Sequence, residues 1–543
     1  MGRTAAAKPK QSASRVGSRS TKRTTGTKTS ASSARSAGRS RSAASKARST
    51  TQKTRPAAAA SRKRSSAKRT SPRPATRRTG TRGAGARRTG TNNGSTIRTY
   101  RSALRYLRGL TNFEENPRYR YDAKRFNLDR MKKILAALDQ PQRQMRVVHI
   151  AGTKGKGSTA TMVACMLQGC GYKVGLYTSP HLLSVCERMS INGTRPTEQA
   201  FTRTLSRVVH AARKAYTKTN PPTYFEIITA VAFCWFADQQ ADVAVIEAGM
   251  GGRLDSTNVV KPEVCGITSI SRDHTDHLGG SLSSIAAEKA GIIKRGVPVV
   301  SAPQKPEVTE VLTEAAQKLD APLLFPGENS QFSYRFESSR ELGPHTRLSL
   351  TTPRSKFEHL HVPLPGEHQA INCSVALSMM DALKTRGFDI DDQRAIEGLA
   401  NVRMSGRMEM VNDEPRVLVD GAHNASSVEA LMRAIGQNVP YDSMIVIFAC
   451  NKDKDISGML RHIQLGADKV IFTTANTPKS AEPEDLLARF QEKCGKMAQA
   501  ASSLREAMEI ATSAITREDL VCITGSFHIV TVAKRYFDKL EVA

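Results

Sequence analysis

The chain has 543 residues and a formal net charge of +33. Residues 1–97 hold 26 Lys and Arg but no Asp, Glu, Leu, Phe or Tyr, so this segment has almost nothing to bury and reads as a disordered basic tail. The remainder, with 56 basic against 49 acidic residues, is long enough for two or three domains with cores of their own, which excludes a purely disordered or fibrous chain.

Ordered structure is expected from about Thr99, with Tyr106, Leu107, Leu110 and Phe113 as a first apolar face. Asn127–Leu138 carries Leu128, Met131, Ile134, Leu135 and Leu138 at helical spacing, and Pro141 stops it. An apolar strand, Arg146–Ile150, then runs into Gly152-Thr-Lys-Gly-Lys-Gly-Ser158. A helix follows to about Gln168, closed by Gly169 and Gly171, and the next strand is Lys173–Tyr177. Strand, loop, helix and strand form the unit of a parallel α/β sheet. The pattern returns at Asp242–Ile246, Val264–Ile270 and Pro298–Ser301. A second set begins with Arg416–Val419, which ends in Asp420-Gly-Ala-His-Asn424, and continues with Met444–Ala449, Lys469–Thr473 and Leu520–Thr524. The fold class is therefore α/β: a P-loop-type central domain with a parallel sheet over 98–404, then a smaller Rossmann-like domain over 405–543. Chemistry is expected at strand ends facing a cleft.

The glycine loop carries the strongest chemical signal. Glycines let the backbone approach a phosphate, the helix N-terminus favours an anion, and Lys156 adds a point charge. The loop departs from GxxxxGK[ST] because Gly157 separates Lys156 from Ser158. Glu247, at the end of a Val/Ile strand, suits either a Mg²⁺ ion beside a nucleotide or a plain helix-capping or ion-paired role. Asp273-His-Thr-Asp-His277 is a dense metal-type cluster, and with Leu278-Gly279-Gly280 it partly matches HxHxDHxGG. Arg272 stands where that pattern has its first histidine, so a dinuclear zinc site would lack a ligand. His274 is read as a ligand to a single Mg²⁺. A metal hydrolase on His274 and His277 and a non-catalytic nucleotide-binding protein are the competing functions. Asp420, His423 and Asn424 could meet a second substrate, with an N-cap by Asn424 as the bland reading.

Several segments, in order, together resemble the folylpolyglutamate synthase / dihydrofolate synthase branch of the Mur ligase superfamily. They are His149–Ser158, Tyr177-Thr-Ser-Pro-His-Leu182, Thr223-Tyr-Phe-Glu226, Glu247–Asn258, Glu288-Lys-Ala-Gly-Ile292, Gly366-Glu-His-Gln369 with Asn372, and Asp420–Asn424. The resemblance implies an ATP-dependent ligase joining L-glutamate to folate or dihydropteroate. It implies that Thr153, Lys154, Gly155, Lys156, Gly157 and Ser158 bind the triphosphate. Asn372, Arg407 and Asp420 would also contact ATP. Ser179, Glu247 and His274 would hold Mg²⁺, and a monovalent cation is a further candidate. Phe126, Asn127, Leu128, Thr223, Tyr224, Phe225, Glu226, Leu254, Asp255 and Ser256 would be pterin-side contacts. Lys156, Lys289, His274 and His423 would be catalytic, with Lys289 carried as a carbamate. The chain departs from the family where Lys154 replaces the usual Asn and Gly406 the usual Pro.

The nine cysteines show no CxxC pair, which points to a reduced, cytoplasmic chain without a zinc ribbon or disulfide framework. No apolar run approaches a membrane span, no signal-peptide segment is seen, and the tail lacks the apolar face of a transit peptide. A monomer is expected. Lys and Arg spaced by Ser, Thr and Ala would bind nucleic-acid phosphates without reading sequence, unless the tail is only a solvated spacer.

Overall fold

The computed structural model describes residues 97–114, 126–216, 220–271, 281–328, 331–339 and 343–538. The expected disorder of the tail and the whole His274/His277 cluster fall outside the described residues. The first helix, α1 (Tyr100–Arg108), starts where expected, on a Thr99 N-cap that accepts from Ser102 N. The next, α2 (Leu128–Ala136), is capped by Asn127.

The central sheet has seven strands in the order β3-β2-β4-β1-β5-β6-β7. They are β1 (Arg146–Ala151), β2 (Val174–Tyr177), β3 (Met189–Ile191), β4 (Val243–Glu247), β5 (Val264–Ile267), β6 (Val299–Ser301) and β7 (Leu323–Leu324). All pair in parallel except β3, the antiparallel edge. β1 lies mid-sheet, in register Arg146↔Val243 to Ile150↔Glu247 with β4. Its residues are buried after the first, which explains a continuous apolar run in place of alternation: helices cover both faces. One face packs α3 (Lys156–Gly169) and the helix Glu367–Lys384; the other packs α4 (Glu198–Ala215) and α5 (Tyr224–Asp238).

Close helix packing fixes α3, and with it the glycine loop. A Cβ on Gly169 would lie 2.3 Å from Arg394 O, and one on Gly398 2.2 Å from Cys165 O. Glycine at both positions lets α3 and the helix Asp392–Ala400 touch backbone to backbone.

A three-stranded antiparallel sheet, β8 (Phe332–Ser339), β9 (Gly343–Thr351) and β10 (Lys356–His361), was not expected from the sequence. The second large sheet runs β11-β12-β16-β13-β14-β15. Its members are β11 (Glu409–Asp413), β12 (Arg416–Val419), β13 (Met444–Phe448), β14 (Lys469–Phe472), β15 (Met497–Ala500) and β16 (Leu520–Thr524), parallel apart from β11. Apolar clusters line both of its faces. The expected strands of this set appear within a residue of their anticipated ends; β11 and β15 are additions.

Candidate active site

A cleft of about 1990 Å³ lies where the strand ends of the two large sheets face each other. The glycine loop forms its floor. Gly155 has φ +85°, and a Cβ there would meet Asn372 Oδ1 at 2.1 Å, so only glycine lets the loop rest on that amide. Thr153 N and Lys154 N both donate to Ser269 O, and Thr153 Oγ1 exchanges hydrogen bonds with Ser271 O and Ser271 N. These bonds hold the loop open-side up, with the N-terminus of α3 toward the cleft, the geometry that binds a phosphate. Ser158 is buried on the first turn of α3.

Glu247 ends β4 fully inside the protein, with Oε1 3.9 Å from Lys156 Nζ and Oε2 accepting from Ser179 N at 3.1 Å. Burial raises its carboxyl above the usual range, while Lys156 pulls the other way. A buried carboxylate that meets the Ser179 backbone next to a phosphate-type loop brings residues with oxygen donors together, which fits a hard cation. No group of three His, Cys, Asp or Glu side chains converges among the described residues, and the expected third ligand, His274, lies outside them.

Lys289 is buried beneath the loop and does not line the cleft; its Nζ donates to Gly152 O at 2.7 Å. Behind the loop, fully buried His149 pairs through Nε2 with Thr257 Oγ1 at 2.9 Å. Thr257 in turn donates to Asp255 Oδ1 at 2.5 Å. Burial pushes the His149 imidazole down to about 3, so it is neutral at ordinary pH.

The expected pterin residues gather at one end, with one exception. Phe126, Asn127, Leu128, Thr223, Phe225, Leu254, Asp255 and Ser256 line the cleft. The Phe126 ring lies tilted against Phe113, with centroids 4.7 Å apart. The Phe225 ring occupies space that a side chain on Gly249 would claim, 2.5 Å from its Cζ. Tyr224 does not reach the cleft wall; it is buried, with the Arg188 guanidinium 5.3 Å from its ring centroid. The reason is helical phase: Thr223 and Glu226 form the capping box of α5, and residues one apart on a helix face different ways. Glu226 touches the cleft but is committed to Arg130 Nε at 2.8 Å and to Thr223 N.

From the second sheet, β12 delivers Asp420, whose Oδ2 accepts from Met408 N and Oδ1 from Ala422 N. Burial raises this carboxyl, opposed by Arg407. The Arg407 guanidinium lies 4.7 Å from the Phe527 ring centroid. His423 Nδ1 is 2.9 Å from Gly421 O; a carbonyl can only accept, so Nδ1 carries the proton. Asn424 caps the helix Ala425–Asn438, and its Oδ1 also accepts from Lys154 Nζ at 2.9 Å. Lys154 donates to Ser426 Oγ as well. The loop of one sheet is thus tied to the helix start of the other.

Sequence reasoning missed Ser426 and the Arg188 node. Arg188 is buried, bidentate on Glu114 at 2.9 and 2.6 Å, and donates from Nε to His181 Nδ1. It also missed His368, which burial, reinforced by Arg407 and Lys154, pushes down to about 4.

Two family models match the chain: the Mur ligase middle domain over residues 150–380 and the Mur ligase glutamate ligase domain over 406–527. A Bacillus subtilis dihydrofolate synthase/folylpolyglutamate synthase is 34% identical over 390 residues, 71% of this chain and 88% of that protein. The Escherichia coli protein of the same description is 32% identical, over 76% of this chain and 91% of its own. A Mycobacterium tuberculosis folylpolyglutamate synthase solved with ADP superposes with a TM-score of 0.73 at 31% identity, covering 82% of this chain and 99% of that one. These are ligase matches, so the metal-hydrolase alternative is set aside. No described helix is long and apolar enough to cross a membrane. With family models over both sheets and relatives above 30% identity, the chain belongs to the folylpolyglutamate synthase / dihydrofolate synthase family of Mur ligases.

Proposed function

We propose that the chain uses ATP to form an amide between the amino group of L-glutamate and the carboxylate of a folate-type acceptor, dihydropteroate or a folate. The observation that carries this reading is the opposition of two strand-end loops across one cleft: a phosphate-type loop on the central lobe (98–404), and Asp420–Asn424 on the second (405–543). A cytoplasmic monomer is the working state.

A carboxylate is a poor acyl donor and must first be activated. Its oxygen attacks the γ-phosphorus, the bond to the ADP oxygen breaks, and an acyl phosphate results. Thr153–Ser158 and Lys156 cradle the phosphates and offset charge as it moves. Asn372, Arg407 and Asp420 hold the rest of the nucleotide. Glu247, Ser179 and His274 would hold Mg²⁺, which would supply charge neutralisation for the triphosphate. Phe126–Leu128, Phe225 and Leu254–Ser256 grip the pterin side. The glutamate amine then attacks the acyl carbon and phosphate leaves with the bonding electrons. His423, which lines the cleft on the second lobe, is the candidate base for the amine's proton. Lys289, buried under Gly152, is the candidate carbamate. The basic tail binds nucleic-acid phosphates and takes no part in ligation.

The test is product mass after incubation with ATP, Mg²⁺ and L-glutamate plus either dihydropteroate or a reduced folate. Addition of one or more glutamyl units with stoichiometric ADP is expected. Failure with both acceptors would overturn the reading.

A further inference from the structure

Two helices of the central lobe carry stripes of basic side chains that ligation does not use. On α1, Arg101, Arg105 and Arg108 are exposed at i, i+4 and i+7, one face of the helix. On α4, Arg203, Arg207, His210 and Lys214 repeat that spacing and are all exposed. The helices lie side by side: Tyr100 meets Phe201 edge-on at 6.1 Å near their starts, and Arg213 acts electrostatically on Tyr106 near their ends. A groove of about 830 Å³ lies between residues 97–100, at the start of α1, and residues 198–210 of α4, lined by Arg98, Tyr100, Arg203, Arg207 and His210 among others; the α1 stripe lies outside it. Acidic residues near it are few: Glu198 lies at the start of α4, and Asp238 pairs with Arg207 at 2.6 Å.

The covalent connection matters. The 26-cation segment joins the folded body at Ile97, whose side chain is one wall of this groove. The face and the 26-cation segment carry the same sign of charge, so each attracts a polyanion.

We propose that the α1/α4 face docks the phosphate backbone of duplex nucleic acid, continuing onto the folded body the contact made by the tail. The inference rests on the nucleic-acid reading of the tail. Charge complementarity chooses the occupant. The 18 residues of α4 span about 27 Å at 1.5 Å per residue, close to the ~34 Å of one duplex turn. The exposed large apolar side chains among the described residues are Tyr334, Phe336, Met410, Leu465, Met497 and Tyr536, none on α1 or α4. No exposed large apolar side chain on this face is thus placed to enter a lipid interface, and Tyr100, the aromatic that lines the groove, is half-buried with its hydroxyl on Ser184 and offers no open platform for a base. Contact is to phosphates, without base readout.

The experiment measures anisotropy of a labelled 30-base-pair duplex with the full chain at several salt concentrations. The variants are Arg101→Gln/Arg105→Gln/Arg108→Gln/Arg203→Gln and, as a matched control on the second lobe, Arg461→Gln/Lys493→Gln/Arg505→Gln/Arg517→Gln. Counterion release predicts that the slope of log K against log salt falls by about 3 in the first variant and little in the control. Ligation and melting temperature are expected to match wild type in both. Two double variants, one for Arg101 and Arg105 and one for Arg108 and Arg203, should each show about half the effect and keep the test alive if the quadruple variant fails to fold. An unchanged slope in the first variant overturns the face while leaving the tail reading intact; equal falls in both variants also overturn it. A duplex that full-length wild type does not bind overturns both readings. Loss of binding to phosphatidylserine vesicles with the duplex slope unchanged assigns the face to a lipid surface and refutes the proposal.

Discussion

The loop after β1 and the loop after β12 share a geometry and differ in chemistry. Each follows a buried inner strand, β1 mid-sheet and β12 next to the edge, and opens a helix across the same cleft. The first, Gly152–Ser158, brings glycines and cations; its backbone is shaped for an anion. The second, Asp420–Asn424, brings a carboxylate, an imidazole and an amide, each already fixed by a hydrogen bond to nearby backbone. Strand-end architecture therefore decides where chemistry sits, and the side chains decide which chemistry it is. On the proposed function, the first loop would meet the phosphates and the second the nucleotide's far side and the amine.

The sharpest way to break that division is Lys156→Ala. The glycines remain, so the fold and the second loop are untouched, but the cation beside the transferring phosphoryl group is lost. Turnover is expected to fall about 10²–10³-fold, the cost of removing one preorganised charge from a transition state, with the melting temperature near wild type. A folded variant with near-normal ligation would remove phosphate binding from this loop.

Lys289→Ala tests what lies under the first loop. Its ammonium donates to Gly152 O, and the backbone there is packed so closely that a Cβ on Gly152 would sit 1.8 Å from Thr268 Oγ1. Loss of the side chain should lower activity by about 10²-fold, the scale set by single electrostatic groups in active sites. Partial rescue by small carboxylates would mark a carbamate; loss without rescue would mark an ammonium that only holds the loop. Unchanged activity would make it neither.

A smaller effect probes how the two loops are joined. Lys154 Nζ crosses from the first loop to Asn424 and Ser426 on the second. A charge-assisted pair of this kind is worth about 1.5–3 kcal/mol when shielded and less when half exposed. Lys154→Met is expected to raise KM for L-glutamate about tenfold while changing ADP affinity less than threefold. Ser426→Ala should do part of the same, and the two changes should not add. A variant that loses ADP affinity with KM for glutamate unchanged would show Lys154 to be one more phosphate cation.

The contrast between the loops also explains what could be read from the sequence. β1, its glycine loop and α3 were legible because each signal is local: an apolar run, glycines at a strand end, a helix opening on Lys156. Asp420–Asn424 was legible for the same reason. The Lys154–Ser426 tie spans 272 residues and the Arg188–Glu114 pair 74, and nothing in the neighbourhood of either lysine or arginine marks its partner. Tyr224 was misplaced because a contiguous motif was read as a contiguous surface, whereas α5 turns each residue away from the last. The β8–β10 sheet is largely solvent-facing on its first strand, so it lacks the buried apolar run that marks the other strands.

The finest effect concerns the support behind the first loop. His149 pairs with Thr257, and Thr257 with Asp255, which lines the cleft. Burial, with Lys294 adding the same sign, holds the folded imidazole near 3, against an ordinary value of 6.5. Below that ordinary value the unfolded chain takes up a proton that the folded chain refuses, so stability drains from the native state as pH falls toward 3. Wild type should therefore lose stability relative to His149→Gln on going from pH 7 to pH 4, by on the order of 3 kcal/mol at about 1.4 kcal/mol per pH unit. Above pH 7 both states of wild type are neutral at this residue and the difference between the two proteins should be flat. Comparing the two proteins cancels the buried carboxylates Glu247, Asp255 and Asp420, whose raised values act in the opposite direction. Urea midpoints of both proteins at pH 4, 5, 6 and 7 make the measurement. A difference that stays constant across that range would mean that His149 is protonated inside the fold, and the chain from β1 to Asp255 would then run through an imidazolium.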